Sequence, residues 1–369
     1  MKSKKKIIFF VNDYWGFVNF RLNLARFLIS KGCEVILLCP KPNVKKSSSL
    51  EGISHIELDI KSTNKNPFSE LKVFFRTLYI LILNRPDFLL SFTIKPNIYG
   101  GIISRLIKIQ HVKNVTGIGR EFLKEGIFTK LLKLLYRIAN GKNSFTFFQN
   151  SDDMKFFMEK GLVRPSQYDI LPGSGVDTDK FSPTTNKKPK ELFNFLMVSR
   201  LLWSKGLNEF IQAIKNLKKE GCKFKATIVG FSYGKGADSI SSDQISRWIA
   251  DDLITFENYQ SDVRLALNDA DCVVLPSYRE GMPRSILESS SMQIPVIVCD
   301  VPGSREAVDN GKTGLICKAR DPLDLALKMK IMLSKSEIER KEMGRKGRIK
   351  MLKGFKEELV ISKYWGLIK

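Results

Sequence analysis

Short apolar runs alternate along this chain with longer segments of helical period. In the first half the runs at residues 7–11, 34–39, 55–58, 88–92, 111–115 and 145–149 have the length and composition of strands buried on both faces. Between them, residues 20–30, 69–83, 99–107, 128–139 and 152–160 carry the periodicity of helices. The second half repeats the rhythm, with strands predicted at 193–199, 225–229, 254–256, 272–275, 296–298 and 314–317, a helix at 207–217 and a helical end. Such alternation predicts an α/β protein with parallel sheets covered on both sides. The polar stretch 172–190, rich in Gly and Pro, reads as a linker. The predicted division is therefore a first domain over 1–171, a second over 191–354, and a closing helical segment over 355–369.

The chemistry begins where the apolar run 272–276 meets Gly281 and Pro283, punctuation that allows a tight turn followed by a helix with Pro in its first turn. Glu280 falls on the turn and Glu288 inside the helix. Helical N–H groups at the carboxyl edge of a parallel sheet form a ready diphosphate site, and a carboxylate further along can accept ribose hydroxyls. Equally, Glu288 could offset the helix dipole while Glu280 is a solvated turn residue. Arg200 and Lys205 follow another strand directly and suit a diphosphate, the first as a bidentate fork and the second as a point charge. A basic pair in that place is also ordinary surface charge. Asp269 and Asp271 form a D-x-D triplet, but they precede a strand, and we read them as structural.

The segment from Ser277 to Glu288, with its sequel from Pro295 to Glu306, resembles the E-x7-E signature of retaining glycosyltransferases of family four. Membership implies the GT-B fold, two Rossmann-like domains facing across a cleft, and no catalytic metal or other cofactor. It also implies roles: Glu280 on the transferred sugar, Glu288 on the ribose, Arg200 and Lys205 on the diphosphate, and Gly281, Met282, Pro283, Arg284 and Ser285 along the donor. Gly230 matches a loop that approaches the base, although Phe231, Ser232 and Tyr233 depart from the family's usual continuation. Gly16, after the first strand, matches a glycine that brings N–H groups to a phosphate or acceptor, and Arg21 opens the next helix beside it.

Acceptor loops resembling those of enzymes that build bacterial surface glycans contain Lys95, Asn97, Thr116, Gly117 and Arg120. Thr116 or a glycine stands where many relatives carry a histidine. Val176, Asp177, Phe181 and Pro183 match the segment leading into the second domain, and the last stretch is expected to return to the first. The closest likeness is to transferases that add an N-acetylhexosamine, N-acetylgalactosamine favoured, from a UDP-sugar to a polyprenyl-diphosphate-linked acceptor.

Charge adds a partner. With 61 basic and 38 acidic side chains the net charge is +23, which implies polyanionic company. No zinc-finger spacing or RNA-recognition motif favours nucleic acid. Residues 122–137 interleave large apolar groups with cations, a composition suited to a headgroup layer, so an anionic membrane surface is the expected partner. The longest apolar stretch, 78–83, is bracketed by Arg76 and Arg85 and is far short of the roughly 20 residues a span needs. The run 7–11 is too short for a signal peptide's apolar region, so the protein is expected on the cytoplasmic face. The 6 cysteines form no metal-binding spacing and read as buried thiols. Rival readings are an inverting enzyme with a base near Asp13 or Asp152, a sugar-nucleotide epimerase, and a basic nucleic-acid-binding protein.

Overall fold

Two parallel sheets organise the chain in the computed structural model, which describes residues 4–42, 50–60, 66–119, 122, 126–184, 191–231, 236, 238–260 and 262–369. The first contains β1 (Lys6–Phe10), β2 (Glu34–Cys39), β3 (Ile53–Glu57), β4 (Phe88–Phe92), β5 (Gln110–Val115), β6 (Ser144–Phe148) and β7 (Tyr168–Ile170) in the order β3-β2-β1-β4-β5-β6-β7. Its connections contain α1 (Tyr14–Phe20), α2 (Leu22–Ser30), α3 (Pro67–Asn84), α4 (Ile94–Ile107), α5 (Ile127–Ile138) and α6 (Ser151–Glu159). The second sheet runs β10-β9-β8-β11-β12-β13, from β8 (Asn194–Arg200), β9 (Lys225–Phe231), β10 (Thr255–Asn258), β11 (Cys272–Leu275), β12 (Val296–Cys299) and β13 (Gly314–Cys317). With it go α7 (Leu207–Lys219), α8 (Ser242–Ala250), α9 (Arg264–Asn268), α10 (Arg284–Ser291), α11 (Ser304–Ala307), α12 (Pro322–Ser334) and α13 (Glu337–Gly354). The last helix is α14 (Glu357–Ile368).

Both orders reverse at an internal strand pair, β1/β4 in one sheet and β8/β11 in the other. Open α/β sheets bind ligands outside the carboxyl ends of strands at such switch points. Residues 1–174 and 360–369 make one compact unit, and 175–359 make the second.

Alternation along the strands divides the first core in two. Ile7, Phe9, Leu37 and Leu90 pack with α2 and with Val360, Tyr364 and Ile368 of α14. Ile8, Phe10, Ile36 and Leu38 face α3 and α4. In the second unit the inner strands β11 and β12 are buried throughout, as a sheet covered on both faces requires, while the edge strand β10 is partly exposed.

Three elements differ from the sequence expectation. Residues 14–20, mostly left without an element in the sequence reading, form α1, because the Asp13 carboxylate accepts the Gly16 N–H and caps a helix that Arg21, at φ −133°, separates from α2. β7 is a three-residue strand too short to show a period. Pro283 is the N-cap of α10, one position outside the helix. Among the described residues no helix is long and apolar enough to cross a membrane.

Candidate functional site

In the second unit the candidate residues converge on the β8/β11 switch point. β8 delivers Arg200, exposed at its end, into a 3-10 turn at Trp203–Lys205. Gly206 follows at φ 79°, and a Cβ there would lie 2.1 Å from the Pro276 carbonyl oxygen, so only glycine lets this turn close on the end of β11. The Tyr278 N–H donates to the Ser204 carbonyl at 3.0 Å and ties the two loops together. As a result Lys205 Nζ stands 2.5 Å from Glu280 Oε1, both side chains mostly buried.

A second loop holds Glu280 from behind. Its N–H donates to the Pro302 carbonyl at 3.2 Å, and a Cβ on Gly303, at φ 82°, would come within 2.3 Å of the Gly281 carbonyl oxygen. Beyond Gly281, Met282 packs on the core and Pro283 precedes α10, whose first turn holds Arg284 and Ser285 and has no side-chain cap. Arg284 Nε donates to Glu288 Oε1 at 2.7 Å. Burial raises the Glu288 carboxyl above its ordinary range, and the Arg284 charge pulls it back down. Gly230 lies opposite Ser199 at the end of β9; Ser232 and Tyr233, the departures that follow Phe231 in that loop, lie outside the described residues.

Sequence reasoning missed the residues that stiffen this arrangement. The Tyr278 hydroxyl donates to both Glu209 oxygens at 2.8 and 2.9 Å, the Arg320 guanidinium lies 4.5 Å from the Tyr278 ring, and the Ser204 hydroxyl donates to Asp238 at 2.6 Å. Burial first and Glu209 second push the Tyr278 phenol up to about 12. Tyr278 sits inside the quoted motif and was within reach, whereas Asp238 is marked by no pattern. Two buried hydroxyls beside the turn, Ser277 and Ser304, have no hydrogen-bond partner among the described residues.

Asp269 and Asp271 act as structural groups at the amino edge. Asp271 accepts the Asn194 N–H at 2.8 Å, and Asp269 accepts the Asn194 amide at 3.0 Å. Among the described residues no group of three or more metal-ligating side chains comes together.

The first unit treats its candidates differently. The Gly16 N–H, expected to meet a phosphate or the acceptor, donates here to the Asp13 carboxylate. Arg21 is 4% exposed, and its guanidinium lies 4.3 Å from the Phe92 ring. Asn97, expected to meet the acceptor, is fully buried; it accepts from the Ser91 hydroxyl at 2.7 Å and donates to the Asn114 carbonyl at 2.9 Å. Lys95 is held by Glu70 at 2.8 Å, and Glu70 also accepts the Tyr99 hydroxyl. Thr116 and Gly117 stay half-buried on the loop after β5, which the Asp153 carboxylate anchors by accepting the Ile118 N–H at 3.1 Å. Arg120 lies outside the described residues.

Comparison with known proteins agrees over both halves. The family model "Glycosyl transferases group 1" matches residues 178–350, and "Glycosyl transferase 4-like" matches 6–151. The chain is 26% identical, over 87% of each chain, to the N,N'-diacetylbacillosaminyl-diphospho-undecaprenol alpha-1,3-N-acetylgalactosaminyltransferase of Campylobacter jejuni. It is 24% identical to the UDP-Gal:alpha-D-GlcNAc-diphosphoundecaprenol alpha-1,3-galactosyltransferase of Escherichia coli, over 82% of this chain and 81% of that one. Among solved structures, HepE of Anabaena in complex with UDP and glucose superposes with a TM-score of 0.80 at 15% identity, over 98% of each chain.

Proposed function

Because the chain belongs to the glycosyl transferases of group 1, with a glycosyl transferase 4-like first half and the GT-B fold, we propose that it transfers an N-acetylhexosamine from a UDP-sugar, with retention of configuration, to a glycan on undecaprenyl diphosphate. N-acetylgalactosamine is the favoured sugar. Both relatives named above act on undecaprenyl-diphosphate-linked sugars, and the solved HepE complex contains UDP. The observation that carries the reading is the Lys205–Glu280 pair at the β8/β11 switch point, next to the uncapped start of the helix that holds Glu288.

In this reading the donor's diphosphate competes with Glu280 for Lys205 and gains Arg200 and the first N–H groups of α10, a preorganised set of positive charge for the leaving group. Glu280, displaced from Lys205, turns to the hydroxyls of the transferred sugar. Glu288, held by Arg284, takes the ribose. The bond from the anomeric carbon to the β-phosphate oxygen breaks and its electron pair leaves with UDP. The acceptor oxygen bonds on the same face, and its proton passes to the departing phosphate oxygen. No metal enters this scheme. An inverting base at Asp13 fits less well, since that carboxylate caps α1.

The test incubates the protein with a panel of UDP-sugars and membrane lipid extract, reading UDP release and the anomeric configuration of the product by NMR. Retention with acceptor-dependent release is expected, and Glu280→Gln should lose about 10²–10³ in turnover. An inverted product overturns the retaining reading. Donor consumption without acceptor points to an epimerase, and salt-dependent DNA affinity without UDP release points to nucleic-acid binding. Full turnover by Glu280→Gln removes that residue from the mechanism.

A further inference from the structure

Tyr278 joins three of the connections that build the candidate site. It stands between β11 and α10, two residues before Glu280. Its N–H donates to the Ser204 carbonyl at 3.0 Å and its hydroxyl to both Glu209 oxygens at 2.8 and 2.9 Å, so it is tied on either side of Lys205 to the segment that runs from β8 into α7. Arg320, between β13 and α12, lays its guanidinium 4.5 Å from the centre of the Tyr278 ring. Its backbone holds φ at 60°, a left-handed conformation that a residue with a Cβ disfavours. The Glu280 N–H is bound to Pro302, so the short backbone from Tyr278 to Glu280 is fixed at both ends.

The Glu209 partner is costly for an ordinary packing contact. Its residue is 6% exposed, and among the described residues its carboxylate accepts a hydrogen bond from Tyr278 alone. Taking a carboxylate out of water is unfavourable, and the place of Glu209 in the first turn of α7 offsets only part of that cost. A leucine facing a phenylalanine would fill the same space without burying a charge. Burial and the neighbouring carboxylate keep the proton on the Tyr278 phenol, pushed up to about 12, so the direction of the hydrogen bond does not change near neutral pH.

We propose that Tyr278, held by Glu209, is a positioning residue for sugar transfer: its hydroxyl sets where Glu280 stands against Lys205, and thereby against the sugar and diphosphate of the donor. Tyr278 acts through Glu280 and touches neither donor nor acceptor. This role rests on the transferase reading.

The experiment measures UDP release, UDP affinity, thermal midpoint and amide hydrogen exchange on the full chain. Tyr278→Phe should lower kcat by about tenfold and leave donor KM and UDP affinity within about twofold, because Arg200 and Lys205 are untouched. Glu209→Gln, whose amide oxygen still accepts from the phenol, should stay within about threefold of the unaltered chain. Tyr278→Phe combined with Glu209→Leu removes both partners. Its kcat should match that of Tyr278→Phe alone, while its thermal midpoint equals or exceeds that of the unaltered chain, a split that a merely structural contact does not produce. Full turnover by the double variant overturns the positioning role, as does a loss of turnover that follows a lowered midpoint, or weaker UDP binding at unchanged kcat. Exchange of the Glu280 amide reads the same tie without turnover: Tyr278→Phe should speed it by at least about tenfold and leave β8 amides unchanged. An unaltered chain that releases no UDP with any sugar rejects the transferase reading, whereas unchanged exchange at Glu280 in Tyr278→Phe rejects the positioning role.

Discussion

At the β8/β11 end of the second sheet, Lys205 and Glu280 stand 2.5 Å apart on loops that glycine backbones lock together, and Arg200 remains exposed beside them. At the β1/β4 end of the first sheet, with the same strand order, the polar residues have turned inward: Arg21 against Phe92, Asn97 under Ser91 and Asn114, Lys95 onto Glu70. One switch point closes on backbone contacts at Gly206 and Gly303 around the Lys205–Glu280 pair. The other is held by side chains consumed in internal contacts. The same residue types therefore carry different meanings in the two halves, and the difference can be tested by attacking backbone in one and side chains in the other.

The largest effect is expected from Gly206→Ala. Its Cβ would meet the Pro276 carbonyl at 2.1 Å with φ at 79°, and backbone cannot give way as a side chain does. Lys205 then moves off Glu280, and a displacement of about 1 Å costs about 10²-fold in turnover, read as UDP release. Gly16→Ala is the matched change in the first unit. There the added Cβ meets only the Asp13 carboxylate, at 2.9 Å within a helix, and turnover should stay within about threefold because alanine favours the helix. Equal losses in the two variants would erase the contrast.

Most strands of both sheets, β7 excepted, were legible because a parallel strand covered on both faces is an uninterrupted apolar run, and β2, β4 and β11 match the expected limits residue for residue. The placement of Lys205, Glu280 and Glu288 at one sheet edge was legible because local turn chemistry sets it: Gly206, Gly281 and Pro283 are themselves in the sequence. Asn97 and Arg21 were not, because their partners Asn114 and Phe92 are distant in sequence and burial is a tertiary outcome. Capping of α1 by Asp13 was missed for a local reason, since Asp followed by two aromatics and a glycine reads as a turn until the helix beyond it is known.

Asn97→Ala addresses the consumed side chains directly. It removes the acceptor for the Ser91 hydroxyl and leaves the Asn114 carbonyl without its 2.9 Å donor, in a site with no exposure. Loss of these buried bonds should destabilise the first unit by about 2 kcal/mol. Below the transition, the acceptor KM should change by less than about twofold, as an internal residue requires. A raised KM at unchanged stability would return Asn97 to the acceptor site and break the comparison from the other side.

The smallest effect separates the units by pH. Lys113, fully buried on β5, donates to Asn140 Oδ1 and to the Ala139 carbonyl at 3.3 Å; burial, with Arg164 adding repulsion, lowers its ammonium from 10.5 to about 7. Between those values the unfolded chain binds a proton that the folded chain does not, so this group makes stability rise with pH from about 7 toward 10.5 and adds no slope below. The gain from pH 7 to pH 8 should be about 1 kcal/mol. His111 does not blur the window, because burial, then Lys113, sends its transition well below 6.5. Hydrogen exchange at β5 amides, with β8 amides as the internal control, reads the two units separately. Lys113→Met should flatten the rise in β5 and leave β8 unchanged. A rise that persists in the variant would assign it to another group, and a rise shared equally by β8 would mean that the two units unfold together.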